Sequence, residues 1–305
     1  MAKRRTEPTT ETFNLLISKA TSYDEARRLV DEMAERRLEP TTETFNLLIS
    51  KATSNDEMRR LLEEMAERRL EPTTETFNLL ISKATSYDEA RRLLDEMAER
   101  RLEPTTVTFS RLISKPTSYH EARRLVDEMA ERRLEPTTDT FNRLISKATS
   151  YDEARQLLDD MAERRLEPTI ETFNRLISKA VSYDEAWRLL DEMAERRLEP
   201  TIRTFKMLIS KAPSYGEARR LLDEMAERRL EPTTDAFNML ISKAPSYGEA
   251  RRLLDEMAER RLEPTIETFR RLIRKTPSYD EARRLHTDIA ERGLKLDWHI
   301  FYDSE

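Results

Sequence analysis

Residues 10–41 read TETFNLLISKATSYDEARRLVDEMAERRLEPT, and this pattern of 32 residues recurs in constant register as far as residue 297. Phenylalanine marks the period at positions 13, 45, 77, 109, 141, 173, 205, 237, 269 and 301. A fixed period of this length is the signature of repeat architectures. We therefore divide the chain into a head at 1–9, nine repeats at 10–297 and a C-terminal cap at 298–305.

Each repeat contains two short amphipathic patterns. In the first repeat an apolar stripe with helical spacing predicts helix A; the stripe consists of Phe13, Leu16, Ile17 and Ala20. Ser22 and Glu25 have the spacing of a capping box for a second helix, helix B, and Pro40 follows the end of that helix. Because two short helices cannot bury their apolar faces alone, neighbouring repeats must stack. The sequence predicts an all-α fold, an α-solenoid of nine stacked helix-turn-helix repeats.

The composition excludes several classes of function. The chain has no Cys, which excludes disulfides and thiolate zinc sites, and only three Gly, too few for a phosphate-binding loop. No nucleophile with a neighbouring base can be assembled, so we expect no enzyme, no metal and no cofactor. The net charge of -6 is unlike that of an indiscriminate polycation. Since no apolar run suits a membrane span or a signal peptide, we expect a soluble intracellular protein.

The repeats differ mainly on helix A, whereas helix B is nearly constant. With Thr10 and its equivalents as position 1, the variation concentrates at positions 2, 5 and 6, which share one side of the helix. Position 2 is acidic in seven of the nine repeats. Position 6 is occupied by Leu15, Leu47, Leu79, Arg111, Arg143, Arg175, Met207, Met239 and Arg271. Since this side lies opposite the apolar stripe, we predict that it faces solvent and lines a binding groove.

The motifs TFNLLI, DEARRL and LEP at constant spacing resemble the pentatricopeptide repeat, here in a short form of 32 residues. Members of that family are αα solenoids that bind single-stranded RNA, so the resemblance implies a right-handed superhelix that takes about one nucleotide per repeat. It also implies that the fifth and the last residue of each repeat read the base, with Asn at position 5 favouring pyrimidines.

The candidate base readers follow from that resemblance. The fifth residues are Asn14, Asn46, Asn78, Ser110, Asn142, Asn174, Lys206, Asn238 and Arg270. The last residues are Thr41, Thr73, Thr105, Thr137, Thr169, Thr201, Thr233, Thr265 and Asp297. Ser110 is expected to read a different base, and Lys206 and Arg270 to hold the RNA backbone without choosing a base.

A lysine near the end of helix A recurs in all nine repeats. The set is Lys19, Lys51, Lys83, Lys115, Lys147, Lys179, Lys211, Lys243 and Lys275. The resemblance implies that these ammonium groups contact RNA phosphates. A lysine in the last turn of a helix is equally explained by the helix dipole, so both interpretations stay open.

The turn after helix B departs from the family pattern. Arg37 and its equivalents stand where the family has glycine. A left-handed conformation at such a residue costs about 1–2 kcal/mol. We therefore predict a turn of a different geometry here.

Two kinds of partner remain open. Single-stranded RNA is the first hypothesis, and a protein or peptide ligand carrying basic residues is the alternative, which the acidic position 2 favours. Repeats this alike are also typical of an engineered or recently amplified array. The target sequence and the oligomeric state do not follow from the chain.

Overall fold

The computed structural model describes residues 8–292 and residue 294, which hold eighteen α-helices and no strand. The odd-numbered helices are the A helices: α1 Thr10–Lys19, α3 Thr42–Lys51, α5 Thr74–Lys83, α7 Thr106–Ser114, α9 Thr138–Lys147, α11 Ile170–Lys179, α13 Ile202–Lys211, α15 Thr234–Lys243 and α17 Ile266–Ile273. The B helices are α2 Tyr23–Glu35, α4 Asn55–Glu67, α6 Tyr87–Glu99, α8 Tyr119–Glu131, α10 Tyr151–Glu163, α12 Tyr183–Glu195, α14 Tyr215–Glu227, α16 Tyr247–Glu259 and α18 Tyr279–Glu291. The predicted C-terminal cap and most of the head lie outside the described residues.

The helices form two compact units, residues 1–149 and 150–305. In the first unit α1 packs against its own helix B and against α3, and the same arrangement continues through α5 and α7. In the second unit α11, α13, α15 and α17 follow one another in the same way. Within each unit the predicted stacking of helix pairs into a solenoid is confirmed, and the handedness of the superhelix stays a prediction.

The apolar stripe of helix A forms the core, as predicted. Phe13 and its eight equivalents are all buried, together with Ile17 and, on helix B, Met33. Leu16 shows where the burial comes from: it is 46% exposed in the first repeat, whereas its equivalent Leu48 is fully buried. The difference arises because α3 has a preceding helix A beside it, whereas α1 is the first helix of the described residues.

The turn after helix B corrects our sequence prediction. Arg37 and its seven equivalents from Arg69 to Arg261 adopt positive φ angles of 56–59°. The Arg37 amide donates to the Ala34 carbonyl at 3.0 Å, and the Leu38 amide to the Met33 carbonyl at 2.9 Å. These two bonds are those of a Schellman motif, which satisfies the last carbonyls of the helix. These eight repeats therefore keep the left-handed turn with arginine in place of glycine. Gly293, the equivalent residue of the ninth repeat, lies outside the described residues.

We expect Arg133→Gly to raise the free energy of unfolding by about 1 kcal/mol, because glycine adopts a positive φ without strain. Arg132→Gly is the matched control, since Arg132 has an ordinary φ of -85°, pairs with Glu128 at 3.1 Å and lies over the Phe109 ring. That control should lower stability. Urea unfolding of both variants measures the difference, and equal losses in the two would contradict the strain argument.

Candidate functional site

Within each unit, the fifth-position Asn side chains lie between consecutive A helices instead of facing solvent, which corrects the sequence prediction. Five of the six are buried, namely Asn14, Asn46, Asn142, Asn174 and Asn238. In four repeats the Asn Oδ1 accepts a 2.7 Å hydrogen bond from the third-position Thr hydroxyl of the next repeat. These pairs are Asn14 with Thr44, Asn46 with Thr76, Asn78 with Thr108, and Asn174 with Thr204. Position 5 thus belongs to the seam between repeats.

This bond determines which end of the amide remains available. With Oδ1 occupied by the Thr hydroxyl, only the Nδ2 donors can serve a ligand. In the first repeat Asn14 Nδ2 donates to Glu43 Oε2 at 3.1 Å. Within the described part of the chain no hydrogen bond from Nδ2 is found for Asn46, Asn78 or Asn174. Each of these three repeats therefore presents a spare amide donor in a fixed orientation.

Two repeats lack the bond. The Oδ1 atoms of Asn142 and Asn238 are buried and have no hydrogen-bond partner within the described residues. Beyond Asn238, the Thr268 hydroxyl pairs with Thr265 at 3.2 Å. These two amides keep an unsatisfied acceptor as well as their donors.

The last-position Thr residues cap the A helices. Thr41 Oγ1 accepts from the Thr44 amide at 3.4 Å, and its own amide donates to Thr44 Oγ1 at 3.0 Å. The two hydroxyls also pair at 3.2 Å, and Thr44 in turn donates to Asn14. The fifth and the last residue of the first repeat are therefore joined through Thr44. Asp297, the last member of this series, lies outside the described residues.

The third-position Thr is the site residue that sequence reasoning missed. Its hydroxyl bonds both to the last-position Thr and to the fifth-position Asn of the preceding repeat, as Thr44 does with Thr41 and Asn14. Its signal was present, because Thr occupies position 3 in every repeat except the eighth, where Ala236 stands. A threonine at the start of a helix is normally interpreted as a cap. The sequence therefore gave no indication of its hydrogen bond to the Asn of the preceding repeat.

The fifth positions without Asn differ from one another. Ser110 and Arg270 are half-buried. Lys206 Nζ pairs with Asp235, the second-position acid of the next repeat. This pairing repeats the geometry of Asn14 and Glu43, so positions 5 and 2 of adjacent repeats are direct neighbours.

The lysine row lies along the ends of the A helices. Lys51 donates to the Ser18 carbonyl at 2.9 Å and Lys83 to the Ala52 carbonyl at 3.0 Å, both in the preceding repeat. Similar bonds to the preceding repeat are made by Lys115, Lys147, Lys211, Lys243 and Lys275. Burial lowers the pKa of Lys115 and of Lys147. The geometry therefore supports the dipole interpretation, because these seven lysines donate to carbonyls at the end of helix A of the preceding repeat.

Arginines at position 6 neutralise part of the acidic position 2. Arg143 pairs with Asp139 at 2.8 Å and Arg175 with Glu171 at 3.0 Å. Arg271 pairs likewise with Glu267. In the first three repeats position 6 is Leu, so the single acid and the lysine of helix A cancel. From the fourth repeat to the ninth, cations exceed acids at positions 2, 5, 6 and 10 in every repeat except the eighth, where Asp235 and Lys243 cancel.

Other kinds of site find no support in this geometry. Among residues 8–292 no group of three His, Asp or Glu side chains is placed to hold a metal ion. None of the eighteen helices just given has the length and apolar character required to cross a membrane.

Comparison with known protein families identifies the same repeat. Residues 115–150, 147–183, 157–213 and 188–246 match the profile of the pentatricopeptide repeat domain. The repeats on either side carry the same motifs in the same register. No curated protein sequence matches the chain.

Two solved structures are similar over almost the whole chain. One is the pentatricopeptide repeat protein PPR10 from maize, with 25% identity and a TM-score of 0.62, covering 96% of this chain and 46% of that one. Another is PPR10 in complex with an 18-nt psaJ RNA element, with 20% identity and a TM-score of 0.59, covering 97% of this chain and 52% of that one. The chain spans about half the length of the solved structures that it matches.

Proposed function

The chain belongs to the pentatricopeptide repeat family, and from this premise we propose that it binds single-stranded RNA along its A helices. The proposal includes a stoichiometry of about one nucleotide per repeat, a bias towards pyrimidines and binding without catalysis. The observation that carries it is the Thr–Asn bond, which leaves an oriented amide donor in the seam between repeats.

The amide donor supplies the base preference. A donor fixed by its neighbour recognises an acceptor on the base edge, and both pyrimidines carry a carbonyl oxygen at O2. Asn46, Asn78 and Asn174 have the required spare donor in the seam. Because the Thr hydroxyl already occupies Oδ1, no reorientation of the amide is needed when the base arrives.

The exposed Arg203 at position 2 and the half-buried arginines of position 6 supply the contacts to phosphates. Arg203 is well exposed, and its Nη1 donates to Glu171 Oε2 at 3.2 Å. Arginine suits this role because its planar fork binds phosphate oxygens in a bidentate manner. The lysines are less suited, since their ammonium groups already donate to backbone carbonyls. PPR10 binds an 18-nt RNA element on a related scaffold, which supports the proposal.

The peptide alternative rested on the acidic second position. In the fifth, sixth and ninth repeats that acid is paired with an arginine of the same helix. Paired acids offer little attraction to a basic peptide, because the arginine occupies their oxygens. RNA is therefore the better-supported partner.

A salt titration tests the proposal. We expect the affinity for a 12-nucleotide oligo(U) to fall with a log-log slope of about -4 against salt, as for roughly six phosphate contacts on a single strand. Oligo(A) of the same length is the base control and should bind more weakly. Fluorescence anisotropy at several salt concentrations measures both. A flat salt response, or equal affinity for the two oligonucleotides, would contradict the phosphate and the base contacts respectively.

A further inference from the structure

Helix B starts with a tyrosine in every repeat except the second, where Asn55 replaces it. The usual side chain is half-buried, as in Tyr23, Tyr87 and Tyr183. Tyr279, which has no described helix B after it, is 73% exposed. The tyrosine ring is therefore covered by helix B of the following repeat.

The neighbours of the ring are the same along the chain. Burial raises the pKa of Tyr23, with Glu57 and Glu64 of the next helix B adding to the effect and Arg27 and Arg60 opposing it. The corresponding burial and the carboxylate of Glu217 raise the pKa of Tyr183 to about 12. Five seams between B helices thus hold a phenol that interacts electrostatically with two glutamates of the next helix B; their tyrosines are Tyr23, Tyr87, Tyr151, Tyr183 and Tyr215.

At Asn55 this phenol is missing and a cleft of 670 Å³ takes its place between α4 and α6. Glu89, Arg92 and Glu96 line it, and they are the equivalents, 32 residues on, of the Tyr23 neighbours Glu57, Arg60 and Glu64. Its apolar wall is formed by Met58, Leu62, Leu80 and Leu93. The cleft therefore has the charged lining of a tyrosine site without the tyrosine, and its apolar wall differs in that Met58 stands where the other repeats have Ala.

The same seam lacks an ion pair that other seams have. Arg27 pairs with Glu64 at 2.6 Å, and Arg91 pairs with Glu128 at 2.6 Å. Arg59 is the equivalent residue at the cleft, and within the described residues it forms no ion pair with Glu96 or any other acid. The α4–α6 seam therefore lacks both the tyrosine ring and the ion pair between its B helices.

We propose that this cleft binds a phenol ring, the side chain of a tyrosine presented by a protein partner. The partner ring takes the place that Tyr23 and its equivalents take in the other seams. The phenol hydroxyl donates its one hydrogen bond to a remaining carboxylate oxygen, Glu89 Oε1 or Glu96 Oε2, because Glu89 Oε2 already accepts from Thr85 and Glu96 Oε1 from Arg100. The wall of Met58, Leu62 and Leu93 covers the ring. The site lies on the B helices, so it does not depend on RNA binding.

The test uses p-cresol, the tyrosine side chain itself, with the intact chain labelled at its methionine methyl groups. We expect the Met58 methyl resonance to shift on titration with a dissociation constant of about millimolar, as for a ligand of this size. In Asn55→Tyr the chain's own ring fills the cleft. We expect that variant to melt at a higher temperature and to lose the p-cresol shift. Absence of a Met58 shift in the wild type, or an unchanged shift in Asn55→Tyr, would overturn the proposal.

A reciprocal variant tests whether removing a tyrosine is enough to create a p-cresol site. Tyr87→Asn should open an equivalent cleft between α6 and α8 and add a second p-cresol site in the folded chain. Failure to gain a site, in a variant whose circular dichroism is unchanged, would also count against the proposal. N-acetyl-tyrosinamide and N-acetyl-phenylalaninamide serve as peptide probes, and we expect the former to bind at least about five-fold more tightly because only it offers a hydroxyl to Glu89 or Glu96. Equal binding of the two probes would contradict the role of the carboxylates.

Discussion

Replacing Arg111, Arg143 and Arg175 together by Glu should weaken binding to oligo(U) by about 100-fold at low salt. Each reversal removes an attraction and adds a repulsion of roughly 1 kcal/mol in water at phosphate distance, and screening reduces the sum. All three side chains are at position 6, away from the buried stripe of helix A, and are only half-buried. The fold should therefore survive the change. Anisotropy titrations at constant ionic strength measure the loss.

The control restores the charge without restoring the arginines. Arg143 and Arg175 pair with Asp139 and Glu171 of their own helices, so changing those two acids to Arg in the triple variant reverses both pairs. We expect most of the lost affinity to return, since phosphates respond to the local charge. An RNA affinity that the triple variant leaves unchanged would exclude position 6 from the interface. A loss that the exchanged pairs do not recover would mean that the arginine geometry matters more than its charge.

The helices could be predicted from the sequence because their signals are local. The spacing of Phe13 and Ile17 defines the buried face of helix A, and Ser22 and Pro40 mark the limits of helix B. Each of these residues acts within its own repeat, so a single copy of the motif is enough to predict the helix pair. Stacking then follows because neither helix can bury its stripe alone.

The candidate site could be predicted only in part, because its contacts cross from one repeat to the next. A helical projection places Asn46 about 100° from Phe45, at the edge of the apolar stripe, and suggests that it faces solvent. The neighbouring helix A instead covers that flank and brings the Thr76 hydroxyl to the Asn46 amide. Nothing in one repeat shows which flank the next repeat covers. The prediction for the turn at Arg37 was wrong for another reason. Two backbone hydrogen bonds offset the strain of the left-handed conformation, and the conformational cost of one residue does not include those bonds.

Lys115→Met should lower the free energy of unfolding by about 2–4 kcal/mol, because two carbonyls then lose a charged donor. Lys115 is only 8% exposed, and its Nζ donates to the Ser82 carbonyl at 2.7 Å and to the Ala84 carbonyl at 2.6 Å. These carbonyls end α5, so the ammonium also neutralises the negative end of that helix. Methionine keeps the length and the apolar stem but offers nothing to the carbonyls. Equilibrium unfolding in urea measures the effect.

Lys19→Met is the matched control, because Lys19 occupies the same position in the first repeat, is exposed and has no preceding helix to cap. Its substitution should change stability by less than about 0.5 kcal/mol. Oligo(U) affinity, measured where both variants are folded, separates the two interpretations of the lysine row. If the lysines bind phosphate, each variant loses a similar share of the affinity. If they cap the preceding helix, Lys115→Met loses stability while its affinity stays close to that of the wild type, because the ammonium that it lacks was already donating within the protein.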